Sequence, residues 1–145
     1  MTITELFTEM LITGAGSLAF GIVYKVKKKR LPVVAAGGGV GWLIYRLLFI
    51  LLKNIFLGNM GATVFITAFS ELMARKLKAP VVVFLLPCLI PLVPGGSLYY
   101  AMSWVIQKDS TRALSYLSNA CEAAFGIAAG IVLVSVLLNR PKGVQ

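Results

Sequence analysis

Three prolines, two glycines and a serine fall between positions 87 and 97 of this chain: Pro87, Pro91, Pro94, Gly95, Gly96 and Ser97. A proline has no amide hydrogen, so an unbroken helical ladder cannot run through them. The carbonyls one turn upstream, near Val83, Pro87 and Ile90, lose their usual partner. Gly95 and Gly96 admit backbone angles that other residues resist, and Ser97 is a good N-cap for a second helix. The first amides of that helix, around Ser97 to Tyr99, would be free donors carrying about half a unit of positive charge. Such donors suit any carboxylate. Discrimination between carboxylates would then fall to side chains such as Tyr99 and Tyr100, and to a polar face further upstream.

That face is formed by Thr63, Thr67 and Ser70, which recur at helical spacing. It can line a pathway, bond to a neighbouring helix, or bond back to its own carbonyls. Two charges also lie inside apolar runs, Arg46 and Glu122. Arg46 either reaches out to lipid headgroups or faces inward to an anion or carboxylate. Counting about 1.5 Å per residue, each charge lies roughly 8–9 Å from the end of its own run. An unpaired charge there costs on the order of 2.5–3.5 kcal/mol, so Arg46 and Glu122 are expected partners. Glu71 and Arg75, four apart, read as an ordinary helix ion pair. There is no His, and Cys88 and Cys121 have no metal-like spacing. No acidic pair or nucleotide-binding loop is present at catalytic spacing, so neither an enzyme nor a metal or other cofactor is expected.

The elements that must position these residues are apolar. The chain has 145 residues, 59% of them hydrophobic and 13% charged, too few charges to clothe a soluble domain. We read an all-α integral membrane protein of one transmembrane domain, with spans at about 6–24, 33–52, 55–74, 81–106 and 116–138. The fourth is broken at Pro91–Ser97. Irregular backbone at membrane depth is tolerated only where protein covers it or where it lines a wet cavity, and broken helices build many transporter sites. The alternatives are a kink with only a packing role, or a re-entrant pair that does not cross. The N-terminal flank of the first span carries Glu5 and Glu9 and no Lys or Arg, so it lacks the basic region of a signal peptide and a retained helix is expected. Small residues mark close helix approaches: Gly14, Ser17 and Gly21; Gly37 to Gly39 with Gly41; Gly126 and Gly130.

Net charge is +9, but the basic residues cluster between apolar runs, which excludes a nucleic-acid surface. The run Lys25 to Arg30 reads as a solvated loop or a contact for anionic lipid. If it is cytoplasmic, so are the 75–80 loop and the tail. That side then holds Lys25, Lys27, Lys28, Lys29, Arg30, Arg75, Lys76, Lys78, Arg140 and Lys142, against Lys53, Lys108 and Arg112 opposite. The bias places the N-terminus outside and the C-terminus in the cytoplasm. An odd number of crossings suits half of an inverted-repeat transporter.

The segment Ile90-Pro-Leu-Val-Pro-Gly-Gly-Ser-Leu-Tyr-Tyr resembles the Pro-Gly motif of the threonine/serine exporter family. Over nearly its whole length the chain resembles that family's second transmembrane unit, a separate small protein in many bacteria. The resemblance implies a bacterial inner-membrane location and a larger partner subunit with a soluble N-terminal region and a five-helix membrane unit. It also implies export of small carboxylate metabolites, threonine and serine in some members and succinate in others. The matching positions are Pro91, Pro94, Gly95 and Tyr99; Gly96, Ser97, Tyr100, Thr63 and Thr67 join the expected substrate site on physical grounds. A non-transporting assembly subunit is the alternative, and assembly with copies of itself stays open beside the larger partner.

Overall fold

In a computed structural model, residues 3–138 are described, with side chains from Thr4 onward. The tail 140–145, with Arg140 and Lys142 of the charge count, lies outside the described residues. The described chain is all helix: α1 (Ile3–Val23), a 3₁₀ turn (Lys28–Arg30), α2 (Leu31–Leu52), α3 (Ile55–Leu77), α4 (Val82–Leu89), a second 3₁₀ turn (Ile90–Leu92), α5 (Gly95–Ile106) and α6 (Ser110–Leu138). Four of these helices are long and apolar enough to cross a bilayer, and α4 with α5 makes a fifth candidate bent by 44°. Leu11, Ile12, Met102, Ile106, Phe125 and Val136 are exposed, so the outer surface is apolar as lipid requires. This is a multi-pass membrane protein.

Local chemistry sets the helix ends. Just beyond the ends of α1, α2, α3 and α5, a lysine takes the left-handed conformation: Lys25 (φ 55°), Lys53 (φ 49°), Lys78 (φ 46°) and Lys108 (φ 59°). Each puts a cation beside free terminal carbonyls, where the helix dipole is negative. The guanidinium of Arg30 does the same across the fold, donating to the Leu77 carbonyl at 2.7 Å. Asn54 Oδ1 caps α3 by accepting from the Leu57 amide at 3.0 Å. Asp109 caps α6, its Oδ1 accepting from the Arg112 amide at 3.1 Å. That cap moves the start of α6 to Ser110, six residues earlier than the hydropathy pattern suggests. Polar residues expected in the connector therefore form the first turn of the last helix.

Small residues then decide how closely the helices meet. A β-carbon at Gly14 of α1 would lie 3.0 Å from the Ala35 carbonyl of α2, and one at Gly38 would fall on Ser17 Oγ. Tyr45 and Leu48 of α2 pack over Gly58 and Gly61 of α3. Gly126 and Gly130 of α6 press against the backbone of α3 at Phe56 and Met60. The short α4 fills the groove between α1, α2 and α3. Its Phe84 and Cys88 are fully buried beside Val34 and Ile66, and Cys88 Sγ donates to the Val34 carbonyl at 3.4 Å. Beyond the bend, α5 leaves this core and packs on α6.

Candidate functional site

The break follows from the prolines. Pro91 sits in the 3₁₀ turn, where the Val93 amide closes onto the Ile90 carbonyl at 3.1 Å. Val93 is extended (φ −61°, ψ 128°) and Pro94 (φ −77°, ψ 51°) is the N-cap of α5. The Gly95 amide turns back to the Val93 carbonyl at 2.7 Å, and the Leu98 amide donates to the Pro94 carbonyl at 3.1 Å. The first-turn amides left over are those of Gly96 and Ser97. Ser97 is therefore the third residue of α5 and makes no capping bond, contrary to its expected role. The free donors shift upstream with it, from Ser97–Tyr99 to Gly96 and Ser97. The glycines also act differently from expectation, since neither has a positive φ. Pro94 and Val93 make the turn. What Gly95 and Gly96 supply is space, because a β-carbon on either would meet nothing within 4 Å.

A pocket of about 350 Å³ opens in front of that bare backbone. Pro91, Pro94, Gly96 and Ser97 form one wall. Trp42 and Tyr45 of α2, Asn59 of α3 and Asn119 of α6 complete it. No Lys, Arg, Asp or Glu lines it. Asn59 is 2% exposed and lines the pocket, and its Nδ2 donates to the Ile55 carbonyl at 2.9 Å. The Trp42 and Tyr45 rings lie 5.2 Å apart and make a stiff aromatic wall. A β-carbon at Gly126 would lie 2.5 Å from the Phe56 carbonyl, so α6 stands close enough to bring Asn119 to the same cavity as Asn59.

Several expected residues lie elsewhere. Thr63, Thr67 and Ser70 are buried, Thr63 directly beneath Gly130 of α6, and their hydroxyls make no hydrogen bond among the described residues. Thr63 packs in the seam with α6, and none of the three lines the pocket at the break. Tyr99 and Tyr100 are exposed, with Tyr100 against Tyr116 at 5.4 Å between ring centres. Glu71 and Arg75 do form the helix pair, at 3.7 Å.

The Arg46–Glu122 pair is corrected by the geometry. Arg46 Nε lies 3.1 Å from Glu9 Oε2 of α1, and its Nη2 donates to Glu9 Oε1 at 3.3 Å. Glu122 is exposed between the buried Ala120 and Ala123. The depth count failed because α6 starts early. Twelve residues from Ser110, Glu122 is about 18 Å along its helix, whereas Arg46 is about 9 Å from the end of α2. Trp42, Tyr45, Asn59 and Asn119 were missed by sequence reasoning. Asn59 carried a usable signal, since it stands one turn before Thr63 in an apolar helix.

An all-helical multi-pass chain with a broken helix walling an uncharged, partly polar pocket is a membrane transport component. The chain belongs to the threonine/serine exporter family: a family model described as "Threonine/Serine exporter, ThrE" matches residues 9–137. Membership makes it a transporter rather than an enzyme, assigns it to amino-acid transport, and implies a partner subunit of the exporter. No solved structure matches the chain.

Proposed function

We propose that this chain is the small membrane subunit of a secondary exporter, and that the substrate carboxylate rests on the Gly96 and Ser97 amides at the start of α5. The pocket at the break carries this reading. Its free amides sit at the positive end of a helix dipole, and Gly96 carries no β-carbon in front of them, with open space around it. Asn59 and Asn119 offer side-chain oxygens to an ammonium group. The cavity has room for about a dozen waters at ~30 Å³ each, enough for threonine with solvent to spare.

The uncharged lining favours a zwitterion. A second carboxylate, as in succinate, would enter with no cation to meet it, because the nearby Arg46 is committed to Glu9. Serine and threonine carry no net charge and leave nothing unbalanced. The chain supplies one half of the transport unit, and a larger subunit with its own five helices in opposite orientation supplies the other. The bias of the basic loops supports an N-terminus outside and a C-terminus in the cytoplasm, and the family resemblance supports a bacterial inner membrane.

Reconstituting the chain with and without that larger subunit, then following efflux of labelled serine, threonine and succinate, tests the reading. Efflux of serine and threonine only from the two-subunit vesicles is expected. Equal efflux from the small chain alone would mean that copies of this chain form the exporter. An assembly subunit would be replaceable by a related chain without change of substrate preference.

A further inference from the structure

We infer that Glu9 is a positioning residue for the substrate pocket, acting through Trp42. The inference rests on the reading that the pocket at the break binds substrate. Among the described residues, Trp42 is the one that both lines that pocket and bonds to the charged pair. Its Nε1 donates to Glu9 Oε2 at 3.3 Å. The same carboxylate is gripped by Arg46 through Nε at 3.1 Å and Nη2 at 3.3 Å. Trp42 and Arg46 are one turn apart on α2, while Glu9 comes from α1.

The Nη2 hydrogen bond to Oε1, with the Nε charge 3.1 Å from Oε2, anchors the carboxylate beside Arg46. The indole hydrogen bond then fixes the rotation of the Trp42 ring about its side-chain bonds. The Tyr45 ring, 5.2 Å away, supports it from the next position along the wall. Without the acceptor at Glu9 the indole keeps its place on the helix but loses its set orientation, and the wall of the cavity becomes mobile. The pair lies at partial exposure, 30% for Arg46 and 35% for Glu9, so its Coulomb energy is screened and adds little to folding. Orientation is the more valuable contribution. A small polar substrate bound against a fixed indole pays less ordering cost than one bound against a moving ring.

The test is a cycle of variants in the reconstituted two-subunit exporter, read as KM and maximal rate for serine efflux. Glu9→Ala and Trp42→Phe should each raise KM about fivefold, the factor carried by one hydrogen bond of ordinary net strength. Maximal rate should change less than KM. The double variant should be no worse than Trp42→Phe alone, because Glu9 would act only through the indole. Glu9→Gln keeps an acceptor oxygen and should fall between wild type and Glu9→Ala; it carries the test if Glu9→Ala does not insert. Additive effects, about 25-fold for the double variant, would overturn the proposal. So would a Glu9→Ala exporter with lowered maximal rate and unchanged KM. If no variant moves KM, Gly96→Val separates the two ideas. Transport lost in Gly96→Val would leave the pocket reading standing and overturn the role of Glu9 alone, whereas normal transport would overturn both.

Discussion

The seam between α3 and α6 sets the spacing of Asn59 and Asn119 in the pocket at the break, and Gly126→Ala should push the two helices apart. A β-carbon at Gly126 would lie 2.5 Å from the Phe56 carbonyl oxygen, 3.1 Å from Asn59 Cβ and 3.3 Å from the Met60 amide nitrogen. Ordinary contact needs about 3.5 Å, and two of the obstructing atoms are backbone, so the helix as a whole must retreat by about 1 Å. Overpacking of this kind costs about 1–3 kcal/mol, opposed by the ~0.8–1.0 kcal/mol that alanine gains over glycine as a helix former. Gly16→Ala supplies the control, since a β-carbon there meets nothing within 4 Å and only the propensity gain remains. The two variants should therefore differ by about 1–3 kcal/mol. At about 2–4 °C per kcal/mol for a chain of this size, that is roughly 2–12 °C in Tm. Thermal unfolding of both proteins in one detergent, followed by circular dichroism, measures it. Equal melting temperatures would refute the close packing of α6 on α3.

Three further outcomes follow from the same geometry. Gly38→Ala should destabilise the α1–α2 contact, and Ser17→Gly in the same chain should restore it, because the added carbon falls on Ser17 Oγ; a double variant no better than the single would exclude that contact. Arg46→Gln should lower stability by no more than about 1 kcal/mol, the ceiling for a partly exposed pair, but still by more than Glu122→Gln; a larger effect at Glu122, measured by thermal unfolding, would restore it as the charged partner. Cysteines placed at 27–29 should react with an impermeant reagent from the cytoplasmic side and one at 54 from the other, with the reverse pattern overturning the proposed orientation.

Much of the fold was legible because each signal was local. Proline and glycine chemistry marked the break, and hydropathy marked the spans to within a few residues except at α6. There the misreading was physical: Asp109 caps a helix whose first turn is polar, and hydropathy cannot see a polar first turn. Small residues announced close approach at Gly14, Ser17, Gly126 and Gly130, and those contacts form. Partners across helices were less legible. Sequence spacing gives a residue's depth and its face on one helix, but not which neighbour that face meets. Thr63 turned out to meet α6, and Arg46 met Glu9, a residue read only as a flanking acid. Trp42 and Tyr45 carried no signal of their own in the sequence, and only the fold brings them beside the break.

We propose that the bare backbone at the start of α5 receives the substrate carboxylate, and Gly96→Val puts a side chain where that carboxylate would lie. The variant should insert and assemble normally, because a β-carbon there meets nothing in the chain itself. It would instead occupy the space in front of the free amides, so efflux of labelled serine and threonine from two-subunit vesicles should be abolished. Ser97→Ala, which leaves both amides in place, should retain most of the activity. Normal efflux from Gly96→Val, or loss of efflux in Ser97→Ala alone, would contradict the account by moving substrate recognition from the backbone to the serine hydroxyl or away from the break.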